Sequence, residues 1–202
     1  LYVSDSNNNA IRQVDSAAGN AVSTLLGNNY PTPTPGLVDG LLAVAKMKTP
    51  AGMALDATNE IVYLADRENH VVRKFPLVAA PYLATIAGTG VAAFVDDAPG
   101  ATAQFNDVFT VAHHGTSLYV ADYNNFRIRG IDLSNANFDV NTVIDHSGGG
   151  NVGGVSVVGD RLYTFQNYAR IEAFSFVLET DAPTEAPTDA PTQGPTVVDS
   201  GL

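Results

Sequence analysis

The sequence predicts an all-β fold made of short antiparallel sheets repeated along the chain, and three observations predict it. An apolar-Tyr-apolar-x-Asp block occurs as Leu1-Tyr2-Val3-Ser4-Asp5, Val62-Tyr63-Leu64-Ala65-Asp66 and Leu118-Tyr119-Val120-Ala121-Asp122, and recurrence of this kind marks repeat architectures. Each block lies among short apolar runs that alternate with period two, carry β-branched or aromatic residues and end in turn residues. No segment sustains a helical period over a dozen residues, so the crossover helices of a parallel α/β sheet are not predicted.

Each element of the repeat has its own reason. A strand precedes the block, as in Gly52-Met53-Ala54-Leu55-Asp56 and Phe109-Thr110-Val111-Ala112. The block is the second strand. A third follows in Asn8-Asn9-Ala10-Ile11-Arg12, Asn69-His70-Val71-Val72-Arg73 and Asn125-Phe126-Arg127-Ile128-Arg129, where the asparagines supply the turn. The fourth is Ser23-Thr24-Leu25-Leu26-Gly27, Ala84-Thr85-Ile86-Ala87-Gly88 and Asn141-Thr142-Val143-Ile144-Asp145. A worn copy, Leu162-Tyr163-Thr164-Phe165, lacks the aspartate, with Phe165-Gln166-Asn167 in its place. Units of four antiparallel strands are the signature of β-propeller blades. A small twisted sheet has two apolar faces and cannot cover both, so blades arranged radially cover one another.

The blades are expected at about residues 1–27, 51–90, 108–145 and 153–178, the first without its opening strand and the last without its closing one, which makes an incomplete ring within a 1–178 propeller fragment. The chain opens at Leu1-Tyr2-Val3 and reads as a piece of a longer protein, with further blades expected upstream. From residue 179 the composition changes: Pro183, Pro187, Pro191 and Pro195 recur every four positions, each followed by threonine. Residues 179–202 are expected to form a disordered, extended Pro/Thr-rich stalk, either O-glycosylated or a plain linker.

Charge and composition exclude several functions. The 202 residues hold 10 Lys and Arg against 21 Asp and Glu, a net charge of -11. Such a surface repels phosphate backbones, so nucleic acid is not an expected partner. The absence of cysteine excludes disulfides, thiolate zinc sites and cysteine nucleophiles. No uninterrupted apolar stretch reaches membrane-spanning length.

The pattern Asp39-Gly40, then Ala45-Lys46-Met47-Lys48-Thr49-Pro50-Ala51-Gly52-Met53-Ala54, then Val62 to Asp66 and Asn69 to Arg73, resembles the NHL repeat of six-bladed β-propellers, and Asp96-Asp97, Ala103-Gln104-Phe105-Asn106 and Leu118 to Arg129 resemble it again. Val108 and Phe109 stand where the first copy has the Pro-x-Gly turn of Pro50 to Gly52, and Arg170-Ile171 comes one residue early in the last copy. The resemblance implies an interaction module, because members serve mostly as recognition domains.

The repeat-defining residues are Asp5, Asp66 and Asp122, Asn8, Asn69 and Asn125, and Arg12, Arg73 and Arg129. An aspartate in every blade could line a central channel and hold a cation, but an aspartate before Asn-rich turns is expected to accept hydrogen bonds from the turn's own amides. The arginines are expected in solvated strand-face ion pairs, which are commoner than an anion-binding ring. Asp5-x-Asn7-x-Asn9 imitates a calcium loop but has Ala10 at its sixth and Ser16 at its twelfth position. His70, His113, His114 and His146 show no zinc spacing, and His113 and His114 could share a metal only within a turn, which Gly115-Thr116 suggests. The Gly148–Gly154 run lacks the Lys-Ser/Thr ending of a phosphate loop.

No catalytic residue, metal or cofactor is therefore expected. The sequence reads as a noncatalytic scaffold that binds a protein or glycan on a propeller face, within a larger protein whose Pro/Thr stalk favours an extracellular or cell-surface setting. The alternatives are a metal-dependent propeller lyase or lactonase and a sensor attached to an upstream catalytic module.

Overall fold

A computed structural model describes residues 1–27, 34–77, 82–96, 99–159, 161–166 and 170–175. The stalk expected over 179–202 lies outside the described residues. The fold is an all-β propeller arc of four antiparallel sheets. Blade 1 holds β1 (Tyr2–Asp5), β2 (Ala10–Asp15) and β3 (Ala21–Leu26). Blade 2 begins with the short β4 (Gly40–Leu41) and continues as β5 (Pro50–Asp56), β6 (Ile61–Asp66), β7 (Val71–Pro76) and β8 (Tyr82–Ala87). Blade 3 is β9 (Val108–His114), β10 (Ser117–Asp122), β11 (Arg127–Asp132) and β12 (Val140–Asp145), and blade 4 is β13 (Val152–Val158), β14 (Arg161–Gln166) and β15 (Arg170–Ser175).

Two features differ from the sequence reading. β4 adds a fifth strand to blade 2 by pairing Gly40 with Leu83 on the outer strand. Pro50 to Gly52 is a bulged beginning of the inner strand instead of a turn: Pro50 pairs with Asp66, and the register shifts before Met53 reaches Leu64. Proline is tolerated at the first residue of a strand or at a bulge, because no ladder bond there needs its N–H. Val108 occupies the same place opposite Asp122, so the position asks for strand-opening geometry and not for proline.

The turn after each aspartate is shared by the first three blades. Asp5, Asp66 and Asp122 lead into the single 3-10 turns Ser6–Asn8, Arg67–Asn69 and Tyr123–Asn125, and each turn ends on a left-handed residue, Asn9 (φ 49°), His70 (φ 56°) or Phe126 (φ 59°). Asparagine suits that conformation. Histidine and phenylalanine are held there by the strands on either side.

The hydrophobic cores lie between blades. Tyr63, Ala65 and Val72 of blade 2 meet Phe105, Val108 and Val120 beside blade 3. Ile11 and Leu26 meet Val62, Leu64 and Phe75 across the first junction, and Ala121 and Ile128 meet Val152 and Leu162 across the third. A single blade therefore leaves its apolar faces in water, at about 1.5–3 kcal/mol for each large side chain uncovered. The inner strands β5, β9 and β13 run side by side toward the axis. Their approach is close: a Cβ on Gly52 would sit 2.7 Å from Thr110 Cα. Thr110 Oγ1 in turn accepts the Val155 amide at 3.0 Å.

Candidate functional site

The repeated polar residues converge within each blade, on the side where the entrance loop crosses the sheet. Asp66 is the last residue of β6, and Arg73 stands in β7 opposite Leu64. This register places the guanidinium on the carboxylate: Arg73 Nη1 donates to Asp66 Oδ2 at 2.7 Å, with both side chains fully buried. Asn69 Nδ2 donates to the same oxygen at 2.9 Å, and the Lys48 amide donates to Oδ1 at 2.7 Å. Arg73 also donates to the carbonyls of Lys46 (3.1 Å) and Val38 (2.9 Å) and to Asp39 Oδ1 (2.6 Å). Asp39 is held from the outer strand by the Thr85 amide and hydroxyl, each at 2.9 Å.

Blade 3 repeats the arrangement group for group. Asp122 accepts from Arg129 Nη1 (2.9 Å), Asn125 Nδ2 (2.9 Å) and the Asn106 amide (2.7 Å). Arg129 continues to the carbonyls of Gln104 (3.1 Å) and Val95 (2.8 Å) and to Asp96, which Thr142 Oγ1 holds at 2.8 Å. The rings of Phe94 and Phe105 lie 4.9 and 5.0 Å from the Arg129 guanidinium. Each arginine thus ties a 3-10 turn, a strand and an entrance loop together.

This geometry corrects two sequence expectations. Asp66 and Asp122 do not cap their own turns by accepting the turn amides; their donors are the Asn side chain, the arginine and an amide 16 or 18 residues upstream. Arg73 and Arg129 are fully buried and not solvated, because the entrance loops carrying Asp39 and Asp96 close over them. Burial pushes the carboxyls of Asp66 and Asp122 up, against the pull of their hydrogen bonds and arginines.

Blade 1 brings Asp5, Asn8 and Arg12 together in the same way. Asn8 Nδ2 reaches both Asp5 oxygens (2.9 and 3.0 Å), Arg12 Nε donates to Oδ2 at 2.9 Å, and Arg12 also contacts Thr24. The pair is about a quarter exposed. The Asn8 hydrogen bond, followed by the smaller contribution of Arg12, outweighs burial and holds the Asp5 carboxyl below its usual range.

Blade 4 fills the same positions differently. Gln166 ends β14 where the other blades have aspartate, and Glu172 faces Thr164 as Arg129 faces Val120 and Arg73 faces Leu64. The register therefore puts a carboxylate at the arginine position, while Arg170 faces Gln166 as Arg127 faces Asp122. His146 fills the gap: its Nδ1 lies 2.5 Å from Gln166 Nε2, which also donates to Glu172 at 3.1 Å.

The remaining candidates are dispersed. His113 and His114 are the last two residues of β9, so they point to opposite faces instead of sharing a turn. His113 stacks on Tyr63 at 5.5 Å and approaches Asp56 at 3.7 Å. Asn9, of the calcium-like segment, accepts the Thr49 amide at 2.8 Å. Among the described residues no group of three or more His, Cys, Asp or Glu is placed to hold a metal ion. The sequence reading left Asp39, Asp96, Thr85 and Thr142 out of the site, although Asp39 and Asp96 stand in the repeat pattern and the threonines recur at nearly constant spacing.

No protein-family model matches the chain. It is similar to NHL repeat-containing protein 2 of Gallus gallus, 33% identical over 141 residues that make up 66% of this chain and 19% of the relative. It is also similar to protein suppressor of quenching 1, chloroplastic, of Arabidopsis thaliana, 34% identical over 139 residues, 66% of this chain and 13% of that one. The matched stretch thus spans less than a fifth of the length of these curated relatives. Among solved structures, the fold is similar to a chain of a nidogen/laminin complex, with a TM-score of 0.57, 15% identity and coverage of 87% of this chain and 56% of that one. At that identity the likeness speaks for the fold alone.

Proposed function

We propose that this chain, similar in sequence to NHL repeat-containing proteins and folded as β-propeller blades, serves as a noncatalytic scaffold, presenting loops on a rigid arc of blades to a protein partner. One observation carries the reading: the repeated carboxylates of blades 2 and 3, which a central metal site would need, are fully buried and bonded to the chain's own donors. A clamp of this kind fixes loops, and fixed loops are what recognition requires. The Pro/Thr-rich acidic segment supports a setting at or outside the cell surface. The test is cross-linking mass spectrometry on the full-length protein in its native cells, combined with metal analysis of the purified protein. Partner cross-links on the inter-strand loops are expected. A stoichiometric, tightly held metal whose removal abolishes turnover of a small substrate would overturn the scaffold in favour of a propeller enzyme.

A further inference from the structure

In blades 1 and 2 the left-handed residue that ends the 3-10 turn has a second task at the junction with the next blade. In blade 1 it is Asn9, whose Oδ1 accepts the amide of Thr49, the residue before β5, at 2.8 Å. In blade 2 it is His70, whose Nδ1 accepts the amide of Asp107, the residue before β9, at 3.0 Å. Thr49 (φ 51°) and Asp107 (φ 68°) both adopt a left-handed backbone, so the two contacts are the same joint built with different acceptors. In blade 3 the position is Phe126, which has no acceptor to offer.

The chemistry of the two acceptors differs in one respect. An asparagine oxygen accepts at any pH in the working range. An imidazole nitrogen accepts only when it carries no proton, so the contact requires neutral His70 with its hydrogen on Nε2. A proton on Nδ1 would set an N–H against the Asp107 N–H across 3.0 Å, and the ring or the strand must then move. We propose that the junction between blades 2 and 3 is a pH-sensitive latch, closed by neutral His70 on the Asp107 amide and released when His70 is protonated in mild acid.

The surroundings set the direction. Among the described residues, three charged groups act on the ring: Asp107 from the entrance loop of blade 3, Lys48 from that of blade 2, and Glu68 from the turn itself. Arg67 holds the Asp107 carboxylate through two bonds, at 2.5 and 3.0 Å, and Lys48 and Glu68 pair at 3.4 Å. Burial is the largest influence on His70 and lowers its titration from the ordinary 6.5; Asp107 and Glu68 pull the other way, and Lys48 assists burial. A histidine with a depressed folded value gives stability that is complete above 6.5 and lost as pH falls below it.

The sister junctions supply the variants that test this. In the full chain, NMR of His70 should show the Nε2–H tautomer at neutral pH and a midpoint below 6.5. The hydrogen-exchange protection factor of the Asp107 amide should fall by up to about tenfold per pH unit on acidification through that midpoint. His70→Asn, which copies the Asn9 joint, should fold and keep protection flat with pH. His70→Phe, which copies Phe126, should show the low value at every pH. A proton on Nδ1 at neutral pH, or a protection profile in His70→Asn that falls as in the wild type, would overturn the latch.

Discussion

Blades 2 and 3 and blade 4 fill the same register positions with different chemistry. In the central pair an arginine is fully buried between two carboxylates; in blade 4 a neutral glutamine stands at the aspartate position, a glutamate at the arginine position, and a histidine intervenes. The strand pairing is conserved in all four blades, so the sheet does not dictate the chemistry. The entrance loop does. Where the segments carrying Asp39 or Asp96 cross the sheet, the arginine is buried. The largest expected effect follows from this contrast. Arg129→Ala leaves Asp122 charged and unpaired in a dry site and should cost about 3–5 kcal/mol. Lys48→Ala removes the surface pair with Glu68, about half exposed on both sides, and should cost no more than about 1 kcal/mol. Denaturant unfolding of the two variants would break the comparison if their costs were equal.

A second contrast sharpens the case for blade-to-blade contact. Gly52→Val drives side-chain atoms into the Thr110 backbone of the neighbouring inner strand, and should cost about 1–3 kcal/mol by overpacking. Gly148→Ala meets nothing within 4 Å and should leave the unfolding midpoint unchanged. Asp39→Ala comes next, at about 1–2 kcal/mol. It takes a charge-assisted bond from Arg73 and the acceptor of the Thr85 amide, but Asp39 is 39% exposed and water replaces part of the loss.

Much of this was legible in the residues and some was not. The Leu/Val-Tyr-x-x-Asp blocks announce a strand ending at a fixed point, because alternation and the turn signal lie within a few residues of each other. Burial of Arg73 was hidden, because it depends on a loop 25 to 39 residues upstream whose Asp39 touches it only after the chain folds back. A period-two pattern places Arg73 on a face but cannot say that a loop covers that face. Glu172 was hidden for another reason. The last hairpin is one residue shorter than its counterparts, so counting from the tyrosine aligns Arg170 with the wrong neighbour, and only the pairing of Thr164 with Glu172 corrects it. Asp39 was quoted in the repeat yet left outside the site, since nothing local tells a loop aspartate that clamps from one that is solvated.

The smallest expected effect separates the clamp aspartates, raised by burial, from the turn aspartates, lowered by hydrogen bonds, by the sign of their titration. Asp56 accepts from the Asn59 side chain and the Asn59 and Thr58 amides, and Asp132 accepts from the Ser134 hydroxyl and amide and from Asn135. Both are held below the ordinary 3.8, first by the side-chain bonds from Asn59 and Ser134 respectively. Their contribution to stability is therefore present above 3.8 and lost as pH falls through their lowered values. Asp66 and Asp122 are raised by burial, so folding favours their protonated forms, and acidification toward 3.8 partly offsets the loss at the turns. Carbon-13 NMR of the four carboxyls should place Asp56 and Asp132 below 3.8 and Asp66 and Asp122 above it. A single common midpoint would mean that burial does not set the clamp carboxyls of blades 2 and 3 apart from the turn carboxyls of the same blades.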